Sequence, residues 1–276
     1  DNITRFTRLH ANDLIGTMLP EIRSAKTILD VACGTGAFGE AYLQWFPKGI
    51  PGQKLIISDF SSSMVQCAKE SLESKIPDDF ATTLEFRTED GTVLEGIETG
   101  SVDVVASIFG VFLIPDQEKV MEAVKRVLAP NGIFGTAAWT PIPNAETMEG
   151  FGISFLATMM KVMHSLDLKQ PDDPKPPPPF LWGDRIRVKE FLNGHGFGSV
   201  KVLSTIHSAT FENTANVTDV MVDKNIMIQA LSLPSEKTDK ARQVVMNEVA
   251  RVEEDAEVPV IVMTSTNLVV ARNETK

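Results

Sequence analysis

Cysteine is nearly absent: the chain has two, Cys33 and Cys67, and a single tyrosine. Two cysteines and four scattered histidines form neither a disulfide framework nor a metal-ligand spacing, so no metal is expected. Positive charge is also short, with 26 Lys and Arg against 37 Asp and Glu and a net charge of −11. Such a surface does not neutralise a phosphate backbone, which argues against a nucleic-acid partner. No apolar run reaches the roughly 18 residues of a membrane span. The opening DNITRFTRLH has no methionine and no secretory apolar core, so no signal peptide is expected. These absences together point to a cytoplasmic enzyme with a small-molecule substrate.

The chain has 276 residues, 43% hydrophobic and 23% charged, enough for one α/β domain with an insertion or for two small domains. It is organised around ILDVACGTGAFG, Ile28 to Gly39. A short apolar run ends on Asp30, a turn of small residues follows, and a helix starts near Ala37. Glycine lets backbone approach a ligand closely, and a helix start offers unpaired N–H groups. Gly34, Gly36 and Gly39 fit G-x-G-x-x-G, with Asp59 placed as in a dinucleotide site. Asp30 argues against a dinucleotide, because a carboxylate beside the turn repels a pyrophosphate and suits a ligand with an ammonium. S-adenosylmethionine carries an ammonium at one end and a ribose-adenine at the other.

The remaining pattern alternates. Asn12–Ile22 is predicted as a helix, and Phe38, Ala41, Tyr42 and Trp45 as one face of the next. Lys54–Ser58 is a buried-type strand ending at Asp59, whose carboxylate suits ribose hydroxyls. Ser61 caps a helix facing inward through Met64, Val65, Ala68 and Leu72; Met64 reads equally as core. Thr83–Arg87, Ser101–Ser107 and Ile133–Ala138 are further strands, with little helical signal between Arg87 and Val102. Pro115 opens a helix. A methionine-rich helix is predicted over Ala145–Leu168, then a stiff proline segment at Gln170–Phe180. A short helix at Arg187–Leu192, a strand at Val200–Ile206, helices near Val217–Leu231 and Thr238–Val252, and a last strand at Val260–Ala271 complete the order.

The pattern D-x-x-C-G-T-G at Asp30–Gly36 resembles motif I of the class I SAM-dependent methyltransferases. DFSSSM at Asp59–Met64 resembles the family's D-x-S-x-x-M, and RVLAPNG at Arg126–Gly132 its R-V-L-K-P-G-G turn. The resemblance is strong over Thr27–Trp139 and looser over Phe197–Arg272. Together with FGVFLIPD and VMTSTNLVVAR, these segments look most like UbiE-type and fungal natural-product methyltransferases, a group that includes the thiol methyltransferase of the gliotoxin dithiol. It implies a Rossmann-like sheet of seven strands, mostly parallel, with helices on both faces and the last strand antiparallel. It also implies a core at residues 1–139, a lid or substrate insertion at 140–196 and a C-terminal part of the same domain at 197–276. The implied cofactor is S-adenosyl-L-methionine. Asp30, Gly34, Thr35 and Gly36 would meet its amino-acid end, Asp59 its ribose, and Phe60, Met64, Asp90 and Gly91 its adenine, with Ser107 and Ile108 at the end of the fourth strand.

The acceptor side is less defined. Phe109, Phe112, Trp139 and Met160 are candidates for the substrate wall, with Met159 and Met163 beside Met160. Phe112 stands where the family sometimes has histidine, so proximity rather than a base is expected to drive transfer to a thiol, hydroxyl or amine. His10 and His164 are the candidate bases, and Arg5 and Phe6 could reach the site from the N-terminal helix. Two other readings stay open: a SAM-fold protein that does not methylate, and a NAD-linked oxidoreductase resting on the glycine spacing alone.

Overall fold

The computed structural model describes residues 2–142, 152–166, 178–225, 228 and 231–274. They divide into two compact units. The larger comprises Thr7–Ala138, Pro176–Thr205 and Thr266–Lys276; the smaller comprises Asp1–Phe6, Trp139–Lys175 and Ile206–Ser265.

The larger unit is built on parallel strands β1 (Thr27–Val31), β2 (Lys54–Asp59), β3 (Thr83–Thr88), β4 (Val102–Ile108) and β5 (Leu128–Trp139). Ile28, Leu29, Leu55, Ile57, Val104 and Val105 are all buried. Near-continuous apolar runs of this kind belong to a parallel sheet covered on both faces. The register runs Thr27↔Lys54 to Val31↔Ser58 between β1 and β2, and Ile28↔Val104 to Asp30↔Ala106 between β1 and β4. The order β3-β2-β1-β4-β5 places the reversal of strand order between β1 and β4, with all five strands parallel. Ligands bind outside the carboxyl ends of strands at such a switch point.

The full sheet has eight strands rather than the expected seven, in the order β3-β2-β1-β4-β5-β8-β6 with β7 also on β8. The added strand is β6 (Ile153–Ser154), which is two residues long and parallel to β8 (Val260–Arg272). β8 runs antiparallel to β5, as expected: Asn131 donates to the Asn273 carbonyl and Thr140 to that of Ser265. The helix expected over Asn12–Ile22 is two, α1 (Asn2–Thr17) and α2 (Leu19–Ser24), broken at Met18 (φ −108°, ψ 15°) just before Pro20. Proline cannot supply a helix-interior N–H and restrains the residue before it. β5 starts earlier than Ile133, because Leu128 already pairs with Val102; RVLAPNG then bulges out, with Asn131 at φ +63°.

Helices α3 (Ala37–Trp45), α4 (Ser62–Glu73), α5 (Gln117–Val127), α7 (Pro178–Gly183) and α8 (Arg185–Gly194) also belong here. Ser61 Oγ accepts the Met64 N–H at 3.4 Å, and Asp116 and Asp184 cap α5 and α8 in the same way. Phe38, Ala41 and Tyr42 are buried on α3, whereas Trp45 is half-exposed. No helix separates β3 from β4. Instead the Arg126 guanidinium donates to the carbonyls of Val93 (3.0 Å), Leu94 (2.7 Å) and Ile97 (2.9 Å) and to Thr99 Oγ1 (3.2 Å). Asp103 anchors the other end of β1, accepting the N–H groups of Lys26 and Thr27 at 2.7 and 2.9 Å.

In the smaller unit, α6 (Phe155–Ser165) packs on α10 (Ser235–Ala250). Phe6, Phe155, Val162, Phe211, Val245 and Val262 are part of its core. Within the helix expected at Val217–Leu231, the described residues form α9 (Thr214–Thr218), one π turn at Asp219–Asp223 and a helical Ile228, while residues 226, 227, 229 and 230 lie outside the described residues. Strand β7 (Gly198–Phe211) is longer than predicted. Met148, Phe151 and most of the proline segment lie outside the described residues. Among the described residues no helix is long and apolar enough to cross a membrane.

Arg126→Ala removes one cation from four acceptors. It should lower stability by about 2 kcal/mol, read as a lower urea midpoint at unchanged slope.

Candidate functional site

The carboxyl ends of β1 to β4 converge in the larger unit. Asp30, on β1, is 1% exposed, and among the described residues neither of its carboxylate oxygens has a hydrogen-bond partner. Burial raises its pKa well above the ordinary carboxylate value, and the charge of Asp59 raises it further. Burial and the same two acids push the Cys33 thiol up, so it stays protonated. Beyond Asp30 the backbone turns through left-handed conformations at Ala32 (φ +54°), Gly34 (φ +53°) and Gly36 (φ +94°). Nothing lies within 4 Å of where a Gly34 Cβ would be, so that glycine borders open space. A Gly39 Cβ would lie 2.6 Å from Leu72 Cδ1, so Gly39 serves the contact of α3 with α4.

Asp59 holds the turn in place. Its Oδ2 accepts the Gly34 N–H and its Oδ1 the Ser61 N–H, each at 2.9 Å. A carboxylate has about four acceptor sites, so capacity remains on both oxygens. Phe60 follows and is 76% exposed, and Met64 is half-buried. Asp90, after β3, is exposed; the Thr92 N–H (2.8 Å) and hydroxyl (2.7 Å) both bond its Oδ1 and hold its pKa below the usual range. A Cβ at Gly91 would meet Ile114 Cδ1 at 2.8 Å and Val31 Cγ1 at 3.3 Å. The turn after β3 is thus pressed against both β1 and the loop after β4.

That loop is tightly specified. Ser107 Oγ accepts the Val111 N–H at 3.1 Å, and its carbonyl accepts from Thr136 Oγ1 at 2.9 Å. Ile108 is half-buried. Phe109 sits at φ +57°, a left-handed conformation that costs a side-chain-bearing residue about 1–3 kcal/mol. Its N–H bonds the Ala137 carbonyl at 3.0 Å. Its ring meets His10 edge-on at 5.6 Å and Phe112 at 6.4 Å. His10 is fully buried, with Nδ1 3.2 Å from Thr205 Oγ1. His195 is tied to Phe191 O and to Glu118 in a structural turn.

The remaining candidates fall in the smaller unit. The Trp139 ring packs on Phe155 with centroids 5.4 Å apart. On α6, Met160 is 43% exposed and His164 is exposed, while Met159 Sδ accepts from Asn225 Nδ2 at 3.2 Å. Phe6 packs against Phe211, and the Arg5 side chain lies outside the described residues. Two features had not been drawn from the sequence, the left-handed Ala32 and the close approach of Gly110. A Gly110 Cβ would lie 2.5 Å from Ala32 Cβ, 2.7 Å from its carbonyl oxygen and 2.9 Å from Ser107 Oγ. A glycine just past a predicted strand was the only available signal.

Residues 28–132 match a family described as methyltransferase domain. The chain is 31% identical over 125 residues to ltbC of Aspergillus luteorubrus, named a probable methyltransferase, covering 43% of this chain and 42% of that protein. It is 33% identical over 106 residues to the demethylmenaquinone methyltransferase of Lactococcus lactis, covering 38% and 39%. The match therefore spans about two fifths of each relative's length. Among solved structures, BH2331 of Bacillus halodurans shares the fold with a TM-score of 0.55 at 15% identity, over 95% of this chain and 99% of that one. YcgJ of Bacillus subtilis does so at 0.55 and 13%, over 91% and 92%.

Gly110→Ala forces a methyl group against the side chain and carbonyl of Ala32, between the ends of β1 and β4. It should cost about 1–3 kcal/mol, measured by denaturant unfolding.

Proposed function

We propose that this chain, whose residues 28–132 form a domain of the class I SAM-dependent methyltransferases, transfers a methyl group from S-adenosylmethionine to a small-molecule nucleophile. The observation that carries this reading is Asp30. A buried carboxylate with both oxygens unpartnered is costly unless a ligand supplies the donors, and an ammonium supplies three of them. A pyrophosphate would be repelled by the same group, which disfavours the dinucleotide alternative. The other residues fit the rest of the cofactor. The open space at Gly34 admits a ligand close to the backbone. Asp59 keeps acceptor capacity for ribose hydroxyls, the exposed Phe60 ring offers a face for adenine, and Asp90 keeps one oxygen for an exocyclic amine.

When bound, S-adenosylmethionine supplies a methyl group already activated by its sulfonium charge. What this chain contributes is placement. Asp30 and the glycine turn hold one end of the ligand, and Asp59, Phe60 and Asp90 hold the other. Phe109 and Phe112 present an apolar wall beside Ser107. Holding a nucleophile in line at about 3–3.5 Å supplies roughly 7–11 kcal/mol of the barrier without proton transfer. His10 is buried against Phe109 and Thr205, which suits a wall support better than a base. A thiol needs little help near neutral pH, and the matched demethylmenaquinone methyltransferases bring a quinol-type ring into the same substrate class.

Calorimetric titration with S-adenosylhomocysteine, with NAD as control, tests the cofactor. Micromolar binding of the first and none of the second is expected; the opposite result establishes the oxidoreductase. An acceptor screen over thiols, phenols and amines then separates transfer from a SAM fold that does not methylate. Asp59→Ala should weaken binding about 10–100-fold while the far-UV spectrum stays native. Asp30 also makes a pH prediction. Its native pKa lies above its unfolded value, so the folded state holds the extra proton between the two. Stability of the ligand-free protein therefore falls as pH rises through that window. Asp30→Asn should abolish this component, seen as a flatter dependence of urea midpoint on pH, and should weaken S-adenosylhomocysteine binding by a similar 10–100-fold.

A further inference from the structure

We infer that Trp182 is a positioning residue for the acceptor wall: through Gln117, its indole N–H fixes the backbone turn that carries Phe112. The inference rests on the proposed role of Phe109 and Phe112, and its test reads the turn itself.

Trp182 is fully buried on α7, and its Nε1–H donates to Gln117 Oε1 at 2.8 Å. Gln117 is 9% exposed at the start of α5; its Nε2 donates to the Val111 carbonyl at 2.8 Å and to the Ile114 carbonyl. Those two carbonyls bracket the 3-10 turn Val111–Leu113. The chain of bonds continues behind Trp182. Asn267 Nδ2, on β8, donates to the carbonyls of Trp182 and Gly183 at 3.1 and 3.0 Å, and Asn267 Oδ1 accepts from Ser204 Oγ at 2.8 Å.

Direction matters in this chain. An indole N–H can only donate, so the amide oxygen of Gln117 must face it. The amide nitrogen then faces the two carbonyls. The two carbonyls, which only accept, favour the same orientation, and the indole N–H locks it by giving the buried amide oxygen its donor. A rotated amide would set oxygen against two carbonyl oxygens and leave them without a donor, a cost typical of buried unsatisfied groups. Packing alone does not replace that donor: Phe134 and Phe191 meet the Trp182 ring at 6.2 and 6.1 Å, contacts that a phenyl ring could largely keep.

Hydrogen exchange by mass spectrometry on the full chain tests this with Trp182→Phe, Gln117→Leu and the double variant. The expected result is about tenfold faster exchange confined to residues 109–114 in each single variant, as for the loss of one buried hydrogen bond. The double variant should be no faster than Gln117→Leu, because both changes cut one relay. S-adenosylhomocysteine affinity should stay within twofold in all three. Additive effects, unchanged exchange at 109–114, or faster exchange spread over β1 and β4 overturn the relay. A failed acceptor screen or an unaltered Phe112→Ala enzyme overturns the wall reading and leaves these exchange rates as they are, so the two failures are distinguishable.

Discussion

At the carboxyl ends of β1 and β4 the two backbones pass closer than side chains allow. Ala32 and Gly110 meet there, and a single methyl group on residue 110 would overlap both the side chain and the carbonyl of residue 32. Most of what is specific to the site follows from this contact. Both strands leave the sheet through left-handed residues, Ala32 and Phe109. One exit lays the glycine turn over Asp30. The other turns the Phe109 ring toward His10 and brings Ser107 Oγ under the Val111 N–H. The turn after β3 then closes the third side, with Gly91 against Val31 and Ile114. Strain at two residues is held by contacts from separate parts of the chain, which is how such conformations persist.

The charge arrangement is asymmetric in a useful way. Asp59 spends a bond from each oxygen on keeping the turn shut, and Asp90 spends two on Thr92. Each is satisfied and can still accept more. Asp30 spends none. Two acids therefore brace the turns while Asp30 keeps both oxygens available, which is what the proposed ammonium contact needs, and burial holds the Cys33 thiol pKa up.

Much of this was legible beforehand because it rests on local chemistry. Apolar runs ending in acids marked the parallel strands, and serine before an amphipathic stretch marked the start of α4. The missing helix between β3 and β4 was legible as missing periodicity. What filled its place was not, since the Arg126 clamp joins residues about 30 positions apart. β6 escaped notice because two residues carry no period, and the break at Met18 because Pro20 sits where a second helix can begin. Within the site, the residue types of Asp30, Asp59 and Asp90 were readable. The backbone conformation of Phe109 was not, because phenylalanine there has no intrinsic preference for it. The contact of Trp182 with Gln117 was not readable either, because 65 positions separate the two in the chain.

The stranded carboxylate of Asp30 has a consequence outside chemistry. A ligand that binds only the folded chain adds to its stability in proportion to the logarithm of its concentration. A fold carrying an unmet buried polar group draws more of its persistence from that term than a fully satisfied one does. Such a chain is most open to unfolding and proteolysis when its ligand runs short. Under the proposed role of Asp30, protein abundance then follows ligand supply.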